Sequence, residues 1–293
     1  MSDLFIGLLP FHALSDYELL NEINQSTFDH LSINSDLKKL LVDSLSDEIV
    51  TNFEFKYYTP IQLDNLASKY KRDTKLSLFH VNIRSLNANY DKLVSFLQCC
   101  SFHFDVIVLS EIWATDIMYY RNLLDNYIFF YELPQHSHVG GVGMFVRKEL
   151  SPIVRDDIRP TTNSNQNLFE NIWIEICINK AKFFIGGFYR HPNTSVNDFR
   201  MSLTSSLTKI KNKKRCFLLG DFNLNILGYN KDVNTTEYLD EMILNGFLPL
   251  TYLPTRVTSR SATIIDHIYA NFHFNESSPC KTGLICNDIS DHF

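Results

Sequence analysis

From Leu76 onward, apolar runs of strand length alternate with stretches of helical spacing. Leu76 to Val81 reads as a buried strand, and Leu93, Val94, Leu97 and Cys100 mark one face of a helix. Val106 to Leu109 is a second buried strand. Ile172 to Ile178, a turn at Asn179-Lys180, and Phe183 to Ile185 read as a hairpin. A helix over Val196–Lys211, a strand over Cys216–Leu219, a helix over Thr236–Asn245 and a last clear strand over Ile264–Tyr269 follow. Hairpins mixed with helical crossovers predict an α/β protein with a mixed or largely antiparallel pair of sheets, not a doubly wound parallel sheet.

Residues 1–70 have a different rhythm. Ser15-Asp16-Tyr17-Glu18 is a capping-box pattern, and Leu37, Leu40, Leu41 and Leu45 recur at helical spacing. Residues 1–73 are therefore expected to form an acidic helical extension, for docking, for regulation or simply lying on the main domain, which spans 74–293. Charge sharpens this division. Of 33 acidic and 27 basic residues, the first 70 positions hold eleven and four, a net of −7. The remainder, with 22 and 23, is close to neutral. A nucleic-acid partner is therefore permitted. The six cysteines form no CxxC pair and read as buried free thiols of a reducing compartment. No run has the length of a membrane span, and no basic residue precedes the first apolar run. An intracellular site, nuclear or cytoplasmic and not secreted, is the expectation. The pattern says nothing about oligomeric state.

The chemistry lies where the strands end. Asn82, Glu111, Tyr189, Asp221 and Asn223 each follow an apolar run, and Asp266 interrupts one. Strand ends are rigid platforms on which side chains can be held to catalytic tolerance. If these ends share one edge, amides, carboxylates and a histidine converge. A hard cation such as Mg2+ prefers oxygen ligands, which Glu111 and Asp291 offer. Asp221 can deprotonate a water, while Asn82, Asn223 and the Tyr189 hydroxyl can bind phosphoryl oxygens. His292 beside Asp266 can stay protonated and face developing negative charge. Each piece alone has a plainer reading. Gly220-Asp221-Phe222-Asn223 is a common turn composition, and Lys209 to Arg215 reads as a solvated basic helix end.

Taken in order, His80-Val81-Asn82-Ile83-Arg84-Ser85-Leu86, Leu109-Ser110-Glu111-Ile112-Trp113, Gly140-Gly141-Val142-Gly143, Gly187-Phe188-Tyr189-Arg190-His191-Pro192, Gly220-Asp221-Phe222-Asn223, Ile265-Asp266-His267-Ile268 and Ser290-Asp291-His292-Phe293 resemble the signature of the endonuclease/exonuclease/phosphatase superfamily. The wording is most similar to the endonuclease domain of non-LTR (LINE-type) retrotransposons. The resemblance implies a four-layer α/β/β/α sandwich of two mixed, mainly antiparallel sheets, with the N-terminal helical extension outside it. It implies a Mg2+- or Mn2+-dependent hydrolase that nicks DNA and leaves a 3′-hydroxyl, as in target-primed retrotransposition. Glu111 then holds metal with Asn82 in support and Asp291 in the outer shell. Tyr189 contacts phosphate, Asp221 activates water, Asn223 orients it, and Asp266 pairs with His292. A phosphate-contacting hydroxyl falls to Thr255 or Thr258, which spacing does not separate.

Two departures from the family pattern shape the expectations. Ser290-Asp291-His292 is followed only by Phe293, where the family adds a core strand, and there is no reverse-transcriptase domain. A shortened domain with a loosely held His292 is expected. Two other functions fit the same motifs: a phosphoesterase acting on abasic DNA, inositol phosphates or phospholipid head groups, and an inactive retroelement relic acting only as an interaction module.

Overall fold

The computed structural model describes residues 4–7, 55–68, 76–114, 116–117, 120, 122–134, 138–160, 169–213, 215–229, 231–258, 261–271, 280–286 and 288–293. One sheet runs β2 (Phe55–Tyr58), β15 (Cys280–Ile285), β1 (Leu4–Gly7), β3 (Leu76–Asn82), β4 (Val106–Ser110), β6 (Val142–Arg147), β5 (Tyr127–Glu132). The other runs β11 (Leu248–Pro249), β14 (Asp266–Ala270), β10 (Cys216–Asp221), β9 (Ala181–Arg190), β8 (Phe169–Ile178), β7 (Ile153–Val154). A separate hairpin joins β12 (Arg256–Val257) to β13 (Ala262–Thr263). Both sheets are mixed. In the second, only β9 and β10 are parallel; in the first, the strands from β2 to β4 are parallel and β5 and β6 antiparallel.

Strand alternation sorts the core into three apolar layers. Leu76 and Leu78 of β3, Val106 and Val108 of β4, Ile185 of β9, and Phe217 and Leu219 of β10 face the gap between the sheets. Their neighbours Phe79, Val81, Ile107 and Leu109 face outward, onto Leu63 of α1 (Pro60–Ala67) and Leu93 and Phe96 of α2 (Leu86–Cys99). On the far side, Phe184, Phe188, Leu218 and Tyr269 meet Phe199 and Leu203 of α3 (Val196–Ile210) and Tyr238 and Met242 of α4 (Val233–Leu244). The result is the four-layer α/β/β/α sandwich.

The structure revises the expectation for the leading segment. Residues 4–7 and 55–58, read as part of a helical extension, are strands of the first sheet. Tyr57 packs between the sheets and Tyr58 on the α1/α2 side, the period-two pattern of a strand. Helix α1 then starts in the same segment, with Thr59 and Gln62 as a reciprocal capping box and Pro60 inside the first turn. The helices expected around residues 15–23 and 37–45 lie outside the described residues. Strand β15 extends the sequence reading, in which Ile264–Tyr269 was the last clear strand; Lys281, Thr282 and Gly283 interrupt its apolar run.

The expected loose end at His292 is also corrected. Phe293 is 1% exposed, its ring meets Tyr57 edge-on at 5.2 Å, and its N–H donates to the Thr255 carbonyl at 2.6 Å. An apolar side chain in the inter-sheet core anchors the segment. The six cysteines are free, as expected, but Cys99 and Cys177 are exposed instead of buried.

Gly220 shows how tightly the second sheet is drawn together. A Cβ there would lie 2.1 Å from the Phe188 carbonyl oxygen, a backbone atom that cannot swing aside. Gly228 has nothing within 4 Å of the same position. Gly220→Ala is expected to lower stability by about 3 kcal/mol or more, the upper range for overpacking, and Gly228→Ala to change it little. Urea unfolding midpoints of the two variants check this.

Candidate active site

The inward phase of the strands ends in polar residues at one edge of the sandwich. Asn82 continues the series Leu76, Leu78, His80; Ser110 follows Val106 and Val108; Asp221 follows Phe217 and Leu219. In register, Asn82 lies beside Ser110, and Asp221 lies between Tyr189 and Asp266. Glu111, one residue past β4, belongs to the outward phase. Its left-handed backbone (φ 55°) turns the chain, and its carboxylate accepts from Asn82 Nδ2 at 2.8 Å.

Two bridges tie the sheets at this edge. Asn82 Nδ2 also donates to Asp221 Oδ2 at 2.7 Å. Ser110 Oγ donates to the Phe188 carbonyl at 2.9 Å and accepts the Asp221 N–H at 3.1 Å. With its only proton so used, Ser110 Oγ must accept from His80 Nε2, 2.9 Å away, so His80 carries its proton on Nε2. Burial pushes His80 down to about 4, against the pull of Asp266.

Asp221, Asp266 and His292 present ligand atoms within 4.8 Å of one another, and all three are buried. Asp266 Oδ2 meets His292 Nδ1 at 2.9 Å. Burial alone would lower His292, but the Asp266 carboxylate outweighs it and holds the imidazolium up to about 9. Burial, then the Asp266 charge, raises Asp221. Asp266 itself is lowered, because His292 overcomes the cost of its burial. Of the two threonines, Thr255 is the one bonded to this group. It is fully buried, accepts the N–H groups of Ile265 and Asp266 at 3.1 Å each, and bonds the Asp266 carboxyl. Thr258 is exposed in the hairpin turn with Ser261.

Residues 79–292 match the model of the Endonuclease/Exonuclease/phosphatase family. The chain belongs to this family. Among solved structures, it resembles the endonuclease domain of TRAS1, a telomere-specific non-LTR retrotransposon, at 14% identity over 66% of this chain and 83% of that one (TM-score 0.49). The catalytic domain of human Nocturnin with bound sulfate gives 15% identity over 66% and 80% (TM-score 0.47). D. rerio TDP2 complexed with a single-strand DNA product gives 16% over 70% and 86% (TM-score 0.48). No curated protein sequence matches. Membership of the family rests on the family-model match.

Asn223, Asp291 and Tyr189 are held by further contacts around this group. Asn223 (φ 48°) spends its side-chain amide on the Arg190 carbonyl at 2.7 Å, and its N–H donates to Asp221 Oδ1 at 2.9 Å. It braces the Asp221 turn. Asp291 is bonded to two arginines, Arg84 and Arg256. Tyr189 is 2% exposed, and burial with the charges of Glu111, Asp221 and Glu170 holds its hydroxyl firmly protonated. The basic run at Lys209–Arg215 leads into β10 at the end away from Asp221.

The sequence reading assigned no part to Glu170, His191 and Arg190. Glu170, 2% exposed, bonds His191 Nε2 at 2.9 Å and accepts the Gly141 N–H at 3.3 Å. The His191 ring meets Tyr189 edge-on at 4.9 Å. Gly140 (φ 115°) closes this wall; a Cβ there would sit 2.7 Å from His191 Cε1. Arg190, buried, donates to the carbonyls of Asn223 (3.2 Å), Phe222 (3.4 Å) and Thr194. Glu170 and His191 stand 21 residues apart in the chain, a separation no short motif records.

The donor set fits a divalent cation. Glu111, Asp221 and Asp266, when ionised, outweigh protonated His292 by two charges, and burial makes that excess costly. A hard cation among oxygen ligands would relieve it.

Ser110→Ala would leave the Phe188 carbonyl, the Asp221 N–H and His80 Nε2 short of a partner at once. A loss of about 2–4 kcal/mol is expected for several buried unsatisfied groups, read as a lowered urea midpoint. In EDTA, an NMR titration should place His292 near pH 9, against ~6.5 unfolded. The raised value means that its stabilising contribution is complete below the unfolded value and lost as pH rises through about 9. Asp266→Asn should bring the midpoint down.

Proposed function

We propose that this protein is a Mg2+- or Mn2+-dependent DNA endonuclease that cuts one strand and leaves a 3′-hydroxyl. The convergence of Asn82, Glu111 and Asp221 with the Asp266–His292 pair, at one edge of a phosphoesterase fold, carries this reading. Glu111 and Asn82 would hold the cation, which supplies positive charge to the phosphoryl oxygens. Asp221, raised by burial and by Asp266, is suited to accept the proton of an attacking water. As water oxygen bonds to phosphorus, the bond to the 3′ oxygen breaks, and that oxygen leaves to become the hydroxyl. Protonated His292 faces the charge that develops, and Asp266 keeps it charged. The Tyr189 hydroxyl donates to a phosphoryl oxygen, held in place by His191 and Glu170.

The choice of DNA, and of a nick that primes reverse transcription by a partner, is supported by the wording of Asn82–Leu86 and Tyr189–Pro192. The free cysteines favour an intracellular site, in nucleus or cytoplasm. None of the described helices is long and apolar enough to cross a membrane.

Supercoiled plasmid is expected to relax to open circles with Mg2+ or Mn2+ and to stay intact in EDTA. Intact plasmid under both metals would overturn the proposal. Asp221→Asn should reduce nicking by about 10²–10⁴, the usual range for a general base, with an unchanged fold by circular dichroism. Glu111→Gln should raise the metal concentration needed for half-maximal rate.

A further inference from the structure

The two arginines that hold Asp291 come from separate loops. Arg84 lies in the turn between β3 and α2, two residues past Asn82, with a left-handed backbone (φ 43°). Its N–H donates to Asn82 Oδ1 at 3.2 Å, so the turn is fixed to the site residue itself. Arg256 opens the β12–β13 hairpin, immediately after Thr255. Asp291 immediately precedes His292. Its Oδ1 accepts from Arg84 Nη1 at 2.5 Å, and its Oδ2 from Arg256 Nε and Nη2 at 2.9 and 2.7 Å. Both oxygens are thus already engaged by cations.

A single carboxylate facing two guanidiniums leaves one positive charge in excess. Asp291 uses one N–H of Arg84 and two of Arg256, out of five on each group. Among the described residues, no other side-chain hydrogen bond engages either guanidinium. The side chains remain 44% and 40% exposed. An ion pair built only to fasten this segment would need one arginine. Here this segment is already fastened by buried Phe293 and its bond to Thr255.

We propose that Arg84 and Arg256, held apart and oriented by Asp291, bind the phosphates that flank the scissile one on a nucleic-acid strand. Planar guanidiniums match phosphate oxygens and hold them in a fixed direction. A polynucleotide offers such a phosphate on each side of the one being cut; a small phosphomonoester offers none. Asp291 is accordingly a positioning residue for the arginines and stands outside the metal set. This inference rests on the proposed endonuclease reading and extends it to how the strand is gripped.

The test separates gripping from cutting. Binding of a fluorescent oligonucleotide is measured by anisotropy in EDTA, over a range of NaCl, for the wild type, Arg84→Gln, Arg256→Gln and the double variant. Each substitution should weaken binding several-fold and reduce the slope of log affinity against log salt by about 1. In nicking assays with Mg2+, KM should rise more than kcat falls, and the loss should be larger on DNA than on bis(4-nitrophenyl) phosphate. Urea midpoints accompany each variant. Where a Gln variant is destabilised, Arg→Lys at the same position should retain the salt slope if charge is what matters. Unchanged affinity and slope in the double variant would overturn the inference and reduce the cluster to a surface ion pair. A wild type that binds in EDTA yet never nicks would overturn the endonuclease reading alone. One that neither binds nor nicks would overturn both.

Discussion

Two carboxylates, Asp221 and Asp266, are paired in register on adjacent strands and buried to 1% and 0% exposure at the mouth of an apolar sandwich. Like charges so placed repel each other and lose their hydration, so neither can be held ionised without compensation. Much of the surrounding structure supplies it. His292 brings a positive charge to Asp266, and Thr255 bonds the same carboxyl. Asn82 Nδ2 and the Asn223 N–H donate to Asp221. Arg190, one residue past Tyr189, fastens the Asp221–Asn223 turn from behind through its carbonyls. The compensation remains partial. Among the described residues, Asp266 Oδ1 and His80 Nδ1 lack hydrogen-bond partners, and they face each other at 3.9 Å. Polar strain of this kind collects at functional sites.

The same constraint explains why the bridge between the sheets is polar. Apolar contacts hold the sandwich together along most of its depth, but they have no direction. Ser110 and Asn82 fix the offset of one sheet against the other at the single edge where offset matters. Glu111 itself has a left-handed backbone, and Trp113, Arg84, Ser85 and Asn223 share that rare class. Strain concentrated in the three loops that carry the site is the counterpart of regular strands beneath it.

The regular part was legible because its period is short. Strands alternate every two residues, so an apolar series such as Phe217, Leu219 extends to Asp221 and announces which face that carboxylate shares. Hairpin β8–β9 was read down to its turn. Leading strands β1 and β2 were not, because four-residue strands carry too few periods to stand out among helical spacings. Strand β15 escaped for a different reason: Lys281, Thr282 and Gly283 break its apolar series, and its pairing comes from remote β1 and β2. The looseness expected at Phe293 followed from counting strands along the chain. Contact with Tyr57, 236 positions earlier, has no sequence signal.

The site divides along the same line. Residues whose role depends on type and strand position, such as Asp221 or Glu111, can be picked out one by one. Residues whose role depends on a partner cannot. Asp291 is the clearest case, because a carboxylate beside a site histidine is chemically a good metal ligand. Its two oxygens meet Arg84 and Arg256, 207 and 35 residues away, and neither contact has a signal in the sequence. An acceptor already satisfied by two cations gains little from a third, whereas two guanidiniums fixed by one carboxylate still have donors to spare. The chemistry of a buried edge can therefore be read from residue types, but the division of labour among its charges is set by which of them meet.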